Sequence, residues 1–247
     1  QRIYYELNII AQLDVADYDA ESFAAAMAQG ETIRAYQPGY PWVVNNDPCI
    51  TGITFNTAVE PFNNREVRWA LVLAIDIVEY LAQAVDGQAT LSPIHIPYLG
   101  AYPEYYHKPM EEWLKNFALD LGDGELFYPY DPDVALRVAE YARQRGHAVS
   151  DDPAELRETF GIGWFKYAPD VAEKLLIKNG FSRDANGRWL LPDGTPWKIT
   201  ITDINDVAHH QFKNGNAAVQ QWKKFGIDAE YFASDAYTTL QQMGDFQ

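Results

Sequence analysis

Cysteine is almost absent from this sequence: the 247 residues include a single one, Cys49. One thiol cannot form an intrachain disulfide, and we interpret Cys49 as a small, inert, apolar residue. Such scarcity suits an oxidising compartment without proving one. Long apolar runs are missing too, because no stretch reaches about 18 residues, so no helix is predicted to span a membrane.

Positive charge is also scarce, with 19 Lys and Arg against 35 Asp and Glu, for a formal charge of −16. An acidic surface argues against nucleic-acid binding, which needs cations to replace the counterions of the phosphates. It also argues against docking on anionic lipid, while it favours solubility. Apolar residues make up 47%, enough for the core of one large domain or two small ones.

Motifs of catalysis and of cofactor binding are missing as well. There is no P-loop, no G-x-S-x-G and no H-E-x-x-H, and the "GIGW" at 161–164 lacks both a preceding strand and a third glycine. Asp203, Asp206 and His210 are close enough in sequence to suggest a metal site, but a polar loop leading into a helix explains them more simply. We therefore predict no catalytic residue, no metal and no cofactor.

Strands and helices alternate along the chain, which predicts an α/β or α+β protein. The clearest helix is predicted over 64–86, capped by Asn63 with Glu66 three residues on and stopped by Gly87. Other helices are predicted at 18–30, 109–119, 169–180, 214–225 and 236–244, with one more that starts at Asp131 or Asp133 and runs to about Arg145. Strands are predicted at 50–57, 197–202 and 227–232, with a β-meander over 181–203 that turns at two Asx-Gly pairs.

The segment "FNTAVEPFNNREVRWALVLAID" at 55–76 carries a family resemblance. With "APDVAEKLLIKNGFSRDANGRWLLPDGTPWKITI" at 168–201 and "AAVQQWKKFGIDAEYF" at 217–232, it resembles the extracytoplasmic solute-binding proteins of ABC importers. The family meant is the one that binds oligopeptides, dipeptides and nickel (family 5), and the resemblance covers essentially the whole chain.

The resemblance implies an α/β (α+β mixed) fold, a periplasmic-binding-protein-like lobe with a mixed sheet flanked by helices. Residues 1–52 would be a short segment leading to the interlobe crossing, and 53–247 a C-terminal ligand-binding lobe truncated at its C-terminal end. The protein would be periplasmic, with the signal peptide absent from this fragment. The blocks after Pro97 and at 109–165 are longer than in plain peptide binders and predict an aromatic-rich insertion.

The implied function is binding without reaction: a peptide or an oligosaccharide is captured in an interlobe cleft and delivered to the ABC permease subunits in the membrane. Two alternatives stay open from the residues alone. One is a glycoside hydrolase or other carbohydrate-active enzyme with a two-carboxylate site. The other is a lobe that acts as a chaperone or interaction module.

The candidate ligand-binding residues follow the strand at 197–202, because open α/β sheets bind ligands beyond the carboxyl ends of their strands. They are Asp203, Asn205, His209, His210 and Gln211. In peptide-binding relatives a His near the start of the next helix touches ligand, and the resemblance places His210 or Gln211 there. Flat aromatic faces suit sugar rings and peptide side chains, which adds four weaker candidates: Trp42, Tyr98, Tyr102 and Trp164.

Overall fold

The computed structural model describes residues 20–28, 39–42, 50–205 and 211–244. The chain forms two compact units, residues 1–35 and residues 36–247. In the first unit, helix α1 is Ala20–Met27, which confirms the helix predicted at 18–30 for the residues described there.

The second unit contains the remaining elements. Its helices are α2 Arg65–Leu73, α3 Ile77–Val85, α4 Lys108–Asn116, α5 Val134–Gln144, α6 Pro153–Phe160, α7 Pro169–Lys178, α8 Gln211–Lys224 and α9 Tyr237–Met243. A π-helical turn, Pro103–His107, leads directly into α4. Its strands are β1 Leu119–Gly122, β2 Glu125–Phe127, β3 Tyr130–Asp131, β4 Trp164–Phe165, β5 Ser182–Arg183, β6 Trp189–Leu190, β7 Lys198–Ile204 and β8 Asp228–Ser234.

The strands pair two by two across the described residues. The pairs β1–β2, β3–β4 and β5–β6 are antiparallel, whereas β7–β8 is parallel, with α8 as the crossover between its strands. Helices and both kinds of strand pairing occur in one unit, which confirms the mixed α/β class.

The largest core cluster holds the parallel pair against α2, α7 and α8. Three tryptophans, Trp189, Trp197 and Trp222, are each only 1% exposed within it. The indole Nε1 of Trp222 donates to the carbonyl of Leu71 at 3.0 Å, and that of Trp189 donates to the carbonyl of Phe225 at 3.0 Å. These buried hydrogen bonds fix the positions of the helices that support β7 and β8.

The single helix predicted over 64–86 is wrong, because the structure divides it into α2 and α3. Asp76 interrupts it with an extended backbone (φ −76°, ψ 108°), and its side chain caps α3 by accepting from the N–H of Val78 at 2.9 Å. The Asp76 backbone is itself bonded by a buried side chain of α8. The Gln221 amide accepts from the Asp76 N–H at 2.6 Å and donates to the Asp76 carbonyl at 3.0 Å.

The cap predicted at Asn63 is also wrong by one residue. Asn64 is the N-cap of α2, and its Oδ1 accepts from the N–H of Glu66 at 2.8 Å. The predicted stop is confirmed: Gly87 has φ +75° and donates its N–H to the carbonyl of Leu81.

The strand predicted at 50–57 is wrong, since the structure assigns no strand to those residues. The alternation instead reflects one-sided packing of Ile53 and Phe55 on the largest core cluster. Phe55 stacks on Phe62 with ring centroids 5.3 Å apart. Burial explains the apolar pattern without a neighbouring strand.

Helix α6 is an element that the sequence pattern did not predict. Asp152 caps it by accepting from the Ala154 N–H at 2.9 Å, and Pro153 occupies its first turn. Only Leu156 and Phe160 of this helix are buried, and two apolar positions in eight residues give a weak periodic signal.

Candidate functional site

The carboxyl ends of β7 and β8 form one edge of the parallel pair. The register runs from Lys198 opposite Asp228 to Ile204 opposite Ser234, so both strands end side by side. This is the position at which open α/β sheets present residues to ligands. We call the residues there, Asp203, Asn205, Tyr231, Ser234 and Asp235, the strand-end site.

Asp203 is the buried acid of the strand-end site, with 8% of its surface exposed. Its Oδ2 accepts from the Tyr231 hydroxyl at 3.1 Å, and its Oδ1 accepts from the Ile204 N–H at 2.7 Å. Burial, and then the negative charge of Asp203, raise the pKa of Tyr231 to about 12. Tyr231 therefore stays a hydrogen-bond donor at neutral pH and holds the carboxylate in one orientation.

Asn205 joins the ends of the two strands. Its N–H donates to the Ser234 carbonyl at 3.2 Å, and its side-chain Nδ2 donates to Asp235 Oδ1 at 2.9 Å. Asn205 and Asp235 are both exposed. The rim of the site is therefore polar, with acceptor oxygens free to receive ligand N–H or O–H groups.

Helix α8 approaches the floor of the site closely at Gly215. A Cβ atom there would lie 2.7 Å from the Tyr231 ring and 3.4 Å from Cγ2 of Ile201. Only glycine permits this spacing, so α8 supports Tyr231 directly and leaves it little room to move.

Of the candidates predicted around the strand end, the structure brings Asp203 and Asn205 together at the strand-end site. Gln211 is the first residue of α8, and nothing is described of its side chain. His209 and His210 lie outside the described residues. Tyr231 and Asp235 were not predicted, although the strand-end rule that selected Asp203 applies equally to the residue after β8.

The four aromatic candidates lie in other clusters. Tyr98 packs edge-on against His107 at 4.8 Å, and the Tyr102 carbonyl lies 3.3 Å from Nδ1 of the same imidazole. Trp42 contacts the rings of Tyr40 and His147. Trp164 contacts Phe165, and its role, like that of the other three, stays a prediction.

A partly buried Ser–His contact lies in the aromatic segment between α3 and α4. His107 Nε2 is 3.0 Å from Ser92 Oγ, which is the spacing of a nucleophile and its base. However, Ser92 Oγ also lies 2.6 Å from the Ile94 carbonyl and 2.7 Å from the Ile96 carbonyl, and His107 is fully buried. The Ser92 hydroxyl is therefore hydrogen-bonded to backbone carbonyls, and the pair fixes this loop.

Among the described residues, no group of three or more His, Cys, Asp or Glu side chains could hold a metal ion. Within the same ranges, no helix is long and apolar enough to cross a membrane.

The family model of bacterial extracellular solute-binding proteins, family 5 (middle region), matches residues 10–247 of the chain. The chain belongs to this family. Its members are solute-binding proteins of ABC importers, and the recognised resemblance is thereby confirmed.

Solved structures show the same fold at low sequence identity. The mannohexaose-bound oligopeptide ABC transporter, periplasmic oligopeptide-binding protein, from Thermotoga maritima is 19% identical with a TM-score of 0.56. The match covers 91% of this chain and 33% of that one. A second structure of a periplasmic oligopeptide-binding protein from Thermotoga maritima is 20% identical with a TM-score of 0.52, over 87% of this chain and 31% of that one.

The chain thus spans about a third of the length of the structures that it matches. No curated protein matches it significantly. At these identities the likeness establishes the fold, and the ligand has to be argued from the residues of this chain.

Proposed function

We propose that this chain is part of the substrate-binding component of an ABC import system, in which it captures a peptide or an oligosaccharide. The observation that carries the proposal is the strand-end site. There a buried, oriented carboxylate and an exposed Asn–Asp pair meet at the carboxyl edge of the parallel strands.

The chemistry of the strand-end site suits ligands rich in hydrogen-bond donors. Asp203 and Asp235 supply carboxylate oxygens that accept from ammonium, amide or hydroxyl groups, and Asn205 supplies an amide. Peptides and sugars both carry such groups. The mannohexaose in the Thermotoga maritima structure supports an oligosaccharide as the ligand. The name of that protein, an oligopeptide-binding protein, supports a peptide.

We further propose that residues 53–247 form a C-terminal ligand-binding lobe and that 1–52 lead to the interlobe crossing. His209, His210 and Gln211 would extend the strand-end site, since they follow Asn205 directly in the chain. Trp42, Tyr98, Tyr102 and Trp164 would contribute aromatic faces to a cleft. The setting would be periplasmic.

The proposed mechanism is capture followed by closure. Ligand bound in the cleft favours a closed form because it contacts both lobes there, and the closed form docks on the membrane permease subunits. Bond making and breaking play no part, in keeping with a family of binding proteins.

A thermal-shift screen of peptide and oligosaccharide libraries on the natural protein that contains this chain tests the proposal. A true ligand at 100 times its Kd adds about 2.7 kcal/mol to the free energy of unfolding. We expect one library to contain such a ligand, and we expect Asn205→Ala to weaken its binding at least fivefold.

Asn116→Ala is the matched control, because Asn116 is also an exposed Asn with a side-chain hydrogen bond to a carboxylate, that of Glu112. It should leave the affinity unchanged. A ligand that binds the Asn205→Ala variant as tightly as the control would refute the strand-end site, and a screen without any ligand would refute the proposed ligand classes.

A further inference from the structure

A surface pocket of about 520 Å³ opens at the end of α8 that precedes β8. Its walls are the first turn of α7, the turn between β5 and β6, and the last turn of α8. Charged side chains dominate the lining: Arg183, Arg188, Lys223, Lys224, Asp170 and Glu173. We call it the basic pocket, since a chain with a net charge of −16 places four cations and two acids there.

Two of the four cations are fully engaged and form fixed walls. Arg183 donates to Glu173 at 2.8 Å and to the Gly187 carbonyl at 2.6 Å, while its guanidinium lies 4.1 Å from the Trp189 ring centre. Lys224 forms an ion pair with Glu79. Their charges are therefore balanced by carboxylates of this chain.

Arg188 and Lys223 are different. Both are exposed, and across the part of the chain that the structure describes neither side chain makes an ion pair or a hydrogen bond. Arg188 uses only its backbone N–H, which donates to Asp184 Oδ1 at 2.8 Å. Asp170 is the lining acid left to oppose these two cations, since Glu173 pairs with Arg183. Outside the lining, the charge of Arg188 acts on Asp184. The charge of Lys223 acts on Glu230, which is already paired with Lys198.

The backbone that carries these cations is rigid. The Trp189 N–H donates to the Gly226 carbonyl at 3.0 Å, which ties the β5–β6 turn to the end of α8. A Cβ on Gly226 would lie 2.7 Å from the Gly187 carbonyl oxygen, so the two turns are in direct contact. Arg188 and Lys223 therefore extend from two fixed points toward the same space, and a ligand need not order the backbone when it binds.

In a second cavity, of about 390 Å³, the cations of the lining are hydrogen-bonded within the chain. It is lined by Asp131, Arg137 and Lys166, among others. There Arg137 donates to Asp131 at 2.5 Å, and Lys166 donates to the Tyr128 carbonyl at 2.8 Å. The basic pocket differs because its two cations Arg188 and Lys223 make no ion pair or side-chain hydrogen bond within the described residues.

We propose that the basic pocket is a binding site for a small anion that carries a phosphate or carboxylate group, separate from the strand-end site. The Arg188 guanidinium supplies a planar fork of donors that matches two oxygens of the anion, and the Lys223 ammonium supplies a point charge. This site does not depend on the proposed import function, because its residues lie at the last turn of α8 and the β5–β6 turn, whereas the residues that carry that function lie at the carboxyl ends of β7 and β8.

Titration of the chain with inorganic phosphate and, separately, with citrate tests the site, with ionic strength held constant by sodium chloride. The amide resonances of Gly187, Arg188 and Gly226 are the readout. We expect these resonances to shift saturably with at least one of the two anions. The anion that saturates shows whether the pocket favours a phosphate or a carboxylate group.

The double variant Arg188→Gln/Lys223→Gln should weaken that binding by about tenfold, because each lost contact between exposed charges is worth up to about fivefold. The control Arg65→Gln/Lys115→Gln removes the same charge from exposed cations outside the pocket and should retain the affinity. Amide chemical shifts that never saturate would refute the site. So would an equal loss of anion affinity in both double variants, because that result indicates a general attraction of anions to positive charge.

Discussion

Gln221 bonds the Asp76 backbone at the break between α2 and α3, and replacing it with Met should destabilise the chain. The side chain is 3% exposed and makes two hydrogen bonds across the helix interface. Met has a similar length and volume, so the substitution removes the hydrogen bonds with little change in packing.

The expected loss in the free energy of unfolding depends on which hydrogen bonds the Asp76 backbone keeps in the variant. Its N–H has Gln221 Oε1 as its acceptor, and leaving a buried N–H without a partner costs about 1–3 kcal/mol. Its carbonyl keeps a second donor, the N–H of Tyr80 at 2.8 Å, so that loss costs only about 0.5–1.5 kcal/mol. We expect Gln221→Met to lower the free energy of unfolding by about 2–4 kcal/mol in urea denaturation.

Gln220→Met is the control, since Gln220 is exposed on the same helix and its replacement should change stability by less than about 0.5 kcal/mol. Gln221→Glu separates the two hydrogen bonds. A carboxylate can still accept from the Asp76 N–H, but its other oxygen faces the Asp76 carbonyl and cannot donate to it. If Gln221→Met costs no more than the control, the break is not held by this side chain.

Two other predictions concern burial and close packing. Burial lowers the pKa of His107 below its usual 6.5, so the unfolded chain binds the proton more readily and stability should fall as the pH drops below that value. His107→Gln should flatten the stability curve between about pH 7 and 5 in urea denaturation, and an unchanged slope would contradict the assignment. Gly215→Ala should destabilise by about 1–3 kcal/mol despite the better helix propensity of Ala, because its Cβ would meet the Tyr231 ring at 2.7 Å. A thermal melt showing equal or greater stability would contradict the close approach of α8.

Local chemistry made the β5–β6 hairpin and the parallel strands predictable, but the meander predicted over 181–203 is wrong in its third strand, because β7 pairs with β8 and not with β6. Gly187 and Gly194 both have positive φ at the turns predicted from Asn-Gly and Asp-Gly, and β7 and β8 fall where alternating apolar residues placed them. Asp203 and Asn205 were predictable because open α/β sheets bind ligands at the carboxyl ends of their strands, and the end of β7 could be predicted from the sequence.

Long-range contacts explain what the sequence did not predict. The break at Asp76 depends on Gln221, 145 residues away, while the local pattern there continues at helical spacing. Likewise, the contact between Asp203 and Tyr231 follows from the register of β7 on β8, which no single strand contains. Short helix α6 lacked enough apolar positions to give a pattern.

The central claim is that ligand contacts the carboxyl edge of the β7–β8 pair, and hydrogen exchange of the natural protein with and without its best ligand tests it most directly. We predict that ligand slows amide exchange at Asn205 and Asp235 and in the first turn of α8, while the rates in α6 stay the same. Protection confined to other parts of the chain, with the strand-end amides unchanged at saturating ligand, would contradict the claim.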